Sequence, residues 1–312
     1  MNELTAKIEQ DIKAHLQDYF KVDQLEDPKY QEIFEYAVLP SGKLFRAQLV
    51  WSVFGDLENI NMKNSQTLNS TNHQLLSTAI EVHHAYSLVH DDMPCMDNDD
   101  YRRGKLSTHK KYGEWKALLI GDGLLNLSYQ ILSDINHPNA QKVFQLFSKN
   151  CGHAGLIYGQ YLDLDIINGP RKFEHIKRIH GLKTGKLFET CIMASYLLTE
   201  VSDDSIENKL QKISSSLGIL FQLLDDLTEL PEIENQEHEQ EINPWITHYQ
   251  EALDETLELL NTVQTNIKIF PQTEAAIKSY FEKIRLFSLS NKPALLSYIK
   301  KEDLLPLISG LE

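Results

Sequence analysis

The sequence predicts an all-α protein, one domain over residues 1–312 built as a single bundle of about ten helices. Three observations carry this expectation. Apolar residues recur at helical spacing along nearly the whole chain. No segment sustains the period-two alternation of a strand, and no hairpin signal stands out. No repeat of fixed length is visible, which argues against a solenoid.

The elements follow in order. Leu4, Ile8, Ile12, Leu16 and Phe20 recur every four residues and mark the first helix. Ile33, Phe34, Ala37 and Val38 form a second stripe, ended by Pro40-Ser41-Gly42. Leu44 to Phe54 forms a third, and the polar, Asn- and Ser-rich run 56–72 reads as a connector. From His73 to about Met93 the pattern holds no Gly or Pro, and it stops at Pro94. Further helical patterns cover about 108–134, 140–167, 173–199, 204–230, 246–267, 272–288 and 292–300. Glycines 113, 121, 123, 152, 155 and 159 fall inside apolar stretches. Small residues there let helices approach closely, although each costs about 1 kcal/mol of propensity relative to Ala.

Composition excludes some functions. Lys plus Arg is 30 and Asp plus Glu is 45, for a formal net charge of −15. A general nucleic-acid or anionic-membrane binder needs the opposite sign. Cys95, Cys151 and Cys191 are widely spaced and read as reduced thiols, not as a disulfide frame or a zinc site. The opening MNELTAKIEQ lacks the apolar run of a signal peptide, and no apolar stretch approaches a membrane span. The expected location is the cytoplasm.

The stretch HDDMPCMDNDDYRRG, residues 90–104, gathers aspartates and then two arginines. Asp91 and Asp92 end an apolar helical run. Asp97 follows Pro94, where the helix opens and the chain can swing back toward the pair. Such carboxylates suit a hard cation that keeps places for water or phosphate oxygens, as Mg²⁺ does. Arg102 and Arg103 suit an anion, because guanidinium forks match phosphate oxygens. A calcium hand starting at Asp97 fails, since Arg102 falls where the turn glycine belongs. Residues 218–230, GILFQLLDDLTEL, repeat the arrangement with Asp225, Asp226 and Glu229. Taken alone, each cluster also reads as a solvated acidic loop or helix end. Together, two carboxylate-tipped apolar helices face to face would form a cavity with a metal-binding mouth and an apolar interior.

The motifs resemble those of the trans-isoprenyl diphosphate synthases. SLVHDDMPCMDNDDYRRG is similar to their DDxxxxD motif with its Arg-Arg-Gly, and FQLLDDLTE to their second acidic motif. SGKLFR (41–46) fits GKxxR, GDGLL (121–125) fits GDxLL, GQYLDL (159–164) fits GQxxDL and LKTGKLF (182–188) fits KTGxLF. All occur in the family's order. HAYSLVHDD resembles the bacterial farnesyl diphosphate synthases most.

The resemblance implies the isoprenoid synthase fold, a homodimer, and head-to-tail transfer of an allylic diphosphate onto isopentenyl diphosphate. It implies Mg²⁺, three ions with substrate bound, held by Asp91, Asp92 and Asp97 on one wall and by Asp225, Asp226 and Glu229 on the other. Lys43, Arg46, His84 and Arg103 would hold isopentenyl diphosphate. Arg102 and Lys183 would hold the allylic diphosphate, with the oxygens of Thr184 and Gln222 near the developing cation. Tyr86, five residues before Asp91, would lie about 7.5 Å below the metal and act as a floor for the growing chain, with the small Ser87 beside it. Each residue also has a plain structural reading: surface for Lys43 and Arg46, core for His84, Gln222 and Tyr86, a helix–helix turn for Lys183-Thr184-Gly185.

The chain departs from the family on one side. Between Lys212 and Lys268 it has no Lys or Arg in 55 residues and twelve acids, where the family carries lysines that cover the allylic diphosphate. Glu229 stands in place of the usual last aspartate. Pro231 to Pro244 reads as a mobile acidic loop. Three readings follow: a farnesyl diphosphate synthase, a synthase of a longer product such as geranylgeranyl diphosphate, and a catalytically weak subunit that tunes an active partner.

Overall fold

The computed structural model describes residues 3–39, 42–62, 71–165, 172–199, 201–231, 242–299 and 304–311. The architecture is helical, as expected, and is numbered here in chain order. Helices α1 (Glu3–Val22), α2 (Pro28–Val38), α3 (Phe45–Met62) and α4 (Thr71–Asp91) come first. A two-stranded hairpin follows, β1 (Tyr101–Arg102) with β2 (Lys105–Leu106). Then come α5 (Thr108–Tyr112), α6 (Glu114–Ser133), α7 (Ala140–Cys151), α8 (Leu156–Leu164), α9 (Phe173–His180), a π-turn (Gly181–Gly185) and α10 (Lys186–Leu197). The chain continues with α11 (Asp204–Glu229), α12 (Pro244–Thr247), α13 (Tyr249–Ile267), α14 (Pro271–Ser290), α15 (Lys292–Tyr298) and α16 (Leu305–Gly310).

Amphipathic faces make the bundle. The α1 stripe buries Ile8, Ile12, Leu16 and Phe20, as its spacing predicts. Helix α4 is buried on nearly every side, so its apolar residues surround it instead of forming a stripe. One apolar core runs from Ile8 to Leu311. Asp27 and Asp203 accept backbone N–H bonds at the starts of α2 and α11, which satisfies donors those helix ends leave unpaired. Among the described residues no helix is long and apolar enough to cross a membrane.

Several boundaries differ from the expectation. The pattern 108–134 is two helices, parted at Gly113, whose φ of 97° is open to glycine at little cost. The pattern 140–167 divides into α7 and α8, and 173–199 is interrupted by the π-turn. Helix α3 continues to Met62, so residues 56–62 of the expected connector are helical, while residues 63–70 lie outside the described residues. The hairpin was not foreseen: each strand has two residues, too few for an alternation to show. Its turn is Arg103-Gly104, both at positive φ, the backbone that a two-residue hairpin favours. Most of the expected acidic loop, residues 232–241, lies outside the described residues, as does Ser41.

Candidate active site

Helices α4 and α11 deliver the two acidic pairs to one place. Asp91 closes α4 and Asp225 sits in the last turns of α11. Both line a single cavity of about 450 Å³. The same cavity is lined by Lys43, Arg46, Arg102, Arg103 and Lys183, so five cations face two of the expected metal ligands. Phe45, Phe221 and Leu187 contribute apolar wall. Behind them an aromatic layer closes the bundle: Phe45 and Phe221 stack on Tyr280 with centroids 5.0 and 4.8 Å away.

The first acidic motif folds back on itself after Pro94. The Asp97 N–H donates to the Asp91 carbonyl at 2.9 Å, which brings the third aspartate beside the pair. Asp92 is buried and accepts from Arg102 Nε at 2.7 Å; Arg102 also reaches Asp99 at 2.5 Å. Burial pushes the Asp91 carboxyl up to about 7; Lys183 and Arg102 pull against this, while Asp97 and Asp92 add to it. Asp92 and Asp97 are raised for the same first reason, burial.

On the other wall a relay fixes the polar groups. The Thr184 hydroxyl donates to Gln222 Oε1 at 3.0 Å, and Gln222 Nε2 donates to Asp226 Oδ1 at 2.9 Å. The other Asp226 oxygen is buried without a hydrogen bond, with His180 Nε2 at 3.4 Å. Burial raises the Asp226 and Asp225 carboxyls; Gln222 counters it at Asp226, and Lys43 and then Arg46 counter it at Asp225. Asn243 braces this end by donating to the Asp226 carbonyl at 2.9 Å.

Lys183 and Thr184 sit in the π-turn, a local widening of the helix often found at functional sites. Its cause is visible in the packing. A Cβ on Gly159 of α8 would come within 2.3 Å of the Lys183 nitrogen, and one on Gly218 of α11 within 2.2 Å of the Gly185 Cα. Two glycines thus let neighbouring backbones press on the turn from two helices. Lys183 Nζ is paired with Asp163 at 2.7 Å. Burial alone would lower its pKa, but Asp163, Asp91 and Asp97 outweigh that and raise it.

His84 and Arg46 meet at 3.2 Å. Burial, then Arg46 and Arg103, keep His84 well below its usual pKa, so the ring is neutral. Arg46 lies 4.9 Å from the Phe188 ring centroid.

The cavity therefore gathers Asp91, Asp225, Lys43, Arg46, His84, Ser87, Arg102, Arg103, Lys183, Thr184 and Gln222 from the sequence expectation. Asp92, Asp97 and Asp226 stand next to that lining through the bonds above. Glu229 is exposed and does not line the cavity. Tyr86 is buried but off the lining: its ring meets His83 at 4.5 Å and His90 at 5.8 Å. Sequence reasoning missed three participants. Glu81 lines the cavity, accepts from the Ala47 N–H at 3.0 Å and faces Arg46. Gln160 lines it with both amide atoms buried and unpartnered. Asp163 holds Lys183. The last two belong to the GQYLDL segment, which carried a signal without an assigned role.

The donors fit a hard divalent cation. They are carboxylate oxygens, and one buried oxygen of Asp226 accepts no hydrogen bond, which an electropositive ligand would satisfy. Among the described residues no three His, Cys, Asp or Glu side chains are close enough to hold an ion alone. Diphosphate oxygens and water would complete the shell, the coordination Mg²⁺ favours.

Known proteins resemble this chain in sequence and fold. The polyprenyl synthetase family profile matches residues 27–241. A farnesyl diphosphate synthase of Buchnera aphidicola subsp. Acyrthosiphon pisum (strain APS) is 37% identical over 198 residues, 62% of this chain and 67% of that protein. The farnesyl diphosphate synthase of Escherichia coli (strain K12) is 34% identical over 204 residues, 64% and 65% of the two chains. The aligned part thus spans about two thirds of these relatives. In three dimensions a geranyltransferase from Legionella pneumophila superposes with a TM-score of 0.74 at 26% identity, covering 95% of this chain and 97% of that one. A geranyltranstransferase from Thermotoga maritima gives 0.70 at 26% identity, covering 93% and 96%. The family match spans well over half of the 312 residues, and the chain belongs to the polyprenyl synthetase family.

Proposed function

We propose that this chain is a prenyltransferase that condenses geranyl or dimethylallyl diphosphate with isopentenyl diphosphate, head to tail, to give farnesyl diphosphate and diphosphate. The observation that carries this reading is the shared cavity: acid-tipped α4 and α11 meet across a space also lined by five cations.

The chemistry follows from the residues. Ionising the allylic C–O bond leaves a carbocation and a diphosphate of about three negative charges, so the main requirement is stabilisation of the leaving group. Arg102 and Lys183 supply fixed positive charge on the α4 side and the π-turn side. Mg²⁺, taken as three ions held by Asp91, Asp92, Asp97, Asp225, Asp226 and Glu229, supplies Lewis-acid neutralisation of the diphosphate when bound. Lys43, Arg46, neutral His84 and Arg103 hold isopentenyl diphosphate so that its double bond faces the allylic carbon. Thr184 and Gln222, fixed by their relay to Asp226, turn oxygens toward the cation. Attack forms the new C–C bond, and the displaced diphosphate takes the proton whose loss makes the product alkene. Phe45, Phe221 and Leu187 exclude the water that would quench the cation.

The protein is proposed to work in the cytoplasm as a homodimer. The solvent face of α6 supports the dimer: Trp115, Leu118 and Leu119 are 65%, 45% and 53% exposed at i, i+3 and i+4, an apolar stripe a second copy would cover. One observation favours a longer product, geranylgeranyl diphosphate: the small Ser87 lines the cavity while bulky Tyr86 does not. The test is a steady-state assay of purified protein with Mg²⁺, geranyl diphosphate and isopentenyl diphosphate, followed by chromatographic sizing. A fifteen-carbon product is expected; a twenty-carbon product selects the second reading, and no turnover refutes both.

A further inference from the structure

We infer that Lys105 is a positioning residue for the isopentenyl diphosphate site: it clasps the end of α2 to the hairpin and so sets Lys43 and Arg103 in register. The inference rests on the function proposed above.

Lys105 does not line the cavity. Its Nζ donates to the carbonyls of Tyr36 and Leu39, both at 2.7 Å. Tyr36 lies in the last turn of α2 and Leu39 is its C-cap, so these acceptors include carbonyls that a helix end leaves unpaired. A cation there also meets the negative end of the helix dipole. The same Nζ lies 4.0 Å from the Tyr36 ring centroid, and Lys111 Nζ lies 3.7 Å from it. The contact is reciprocal, since the Tyr36 hydroxyl donates to the Leu106 carbonyl at 2.7 Å.

The two pieces joined here carry opposite sides of one anion site. Three residues past Leu39 comes Gly42, then Lys43 and the start of α3. Two residues before Lys105 comes Arg103, at the hairpin turn with a φ of 53°. They touch: a Cβ on Gly42 would sit 2.8 Å from Arg103 Nε. The hairpin has a second tether, the Arg102 pairs with Asp92 and Asp99. Without Lys105 the hairpin would keep the Arg102 pairs and the Tyr36–Leu106 bond, and Arg103 would gain freedom relative to Lys43. Lys105 removes that freedom. Burial, then Arg103 and Lys111, push its pKa down to about 8, so the fold places this cation among others at a cost.

The test uses the full-length protein and steady-state kinetics with both diphosphates. Lys105→Met keeps the stem and loses the donors. The KM for isopentenyl diphosphate is expected to rise about tenfold, with kcat and the allylic KM within about twofold, since hydrogen bonds from charged donors are worth about that factor or more. Lys105→Arg should restore most of the loss. Lys105→Met combined with Arg103→Gln should be no worse than Arg103→Gln alone. An unchanged KM, or an equal rise in both KM values with a fall in kcat, overturns the clasp. If Lys105→Met does not fold, Tyr36→Phe, which cuts only the bond to Leu106, should raise the same KM severalfold, and no rise overturns the inference. Calorimetric binding of isopentenyl diphosphate separates this idea from the reaction itself. Lys105-dependent affinity without turnover removes the reaction and keeps the clasp; an unchanged Kd in Lys105→Met removes the clasp and leaves the reaction.

Discussion

The wedge around the π-turn makes Gly218→Ala a sharp perturbation. The new methyl would sit 2.2 Å from the Gly185 Cα and 3.1 Å from its nitrogen, both backbone atoms, so no side chain can yield. Restoring van der Waals contact requires α11 and the turn to part by roughly 1 Å. The turn cannot retreat freely, because the α8 backbone at Gly159 is already against Lys183. A displacement of that size stretches the Thr184–Gln222 hydrogen bond, now 3.0 Å, out of range. Overpacking of this kind costs about 1–3 kcal/mol, or a few degrees of Tm for a chain this long. The catalytic loss is larger, on the order of 100-fold in kcat/KM, because misplacement by 1 Å at the reacting centre has that effect. The control is Gly310→Ala, whose Cβ meets only the side-chain ends of Leu257 and Leu260 at 3.3 and 3.4 Å. It should leave activity unchanged and Tm equal or slightly higher. The assay is turnover together with thermal melting followed by circular dichroism. Wild-type turnover and Tm in Gly218→Ala would show that the turn is not wedged, and the account of Lys183 and Thr184 placement would fall.

Three further outcomes are expected. Asp91 is held near 7 by burial and by Asp97, so the folded chain keeps a proton that the unfolded chain has released above about pH 4. Stability without metal therefore falls as pH rises from about 4 to 7, and Asp91→Asn should melt above wild type at pH 8 with the gap closing toward pH 4; equal melting at pH 8 contradicts this. Tyr86 lies off the cavity lining, so Tyr86→Ala should leave the product length unchanged on chromatography; a longer product would put Tyr86 back beneath the growing chain. Chelation with EDTA should abolish turnover while leaving far-ultraviolet circular dichroism unchanged, with added Mg²⁺ restoring the rate; turnover that persists in EDTA argues against the metal.

The parts of the site that were legible in the sequence share a property. Asp91 and Asp225 each end a long apolar helix, so their chemistry and their position could be read from the same few residues. The supports were not legible, because they depend on contacts between distant segments. Glu81 meets the Ala47 N–H across 34 residues, and Asp163 meets Lys183 across 20. Glu81 is not unusual in its own stretch, and Asp163 belongs to the GQYLDL segment, whose signal did not name its partner. The hairpin was missed because a two-residue strand has no period to detect, and the π-turn because Gly159 and Gly218 act from two other helices.

These distant supports explain how the site can hold so much charge. The carboxylates of buried Asp92 and Asp226, half-buried Asp91 and Asp225, and Asp97 all have raised pKa values, with desolvation the first cause, which means the empty fold carries their charge at a cost. A loose site would relieve that cost by moving the acids apart or into water. Here the acids are pinned: Asp92 by Arg102, Asp226 by Gln222, and the Asp97 backbone by the Asp91 carbonyl. The acids are therefore kept together until a cation and a diphosphate arrive, and the protons that raised pKa values retain are then released. Binding relieves the repulsion without rebuilding the walls, the preorganisation that leaving-group stabilisation requires.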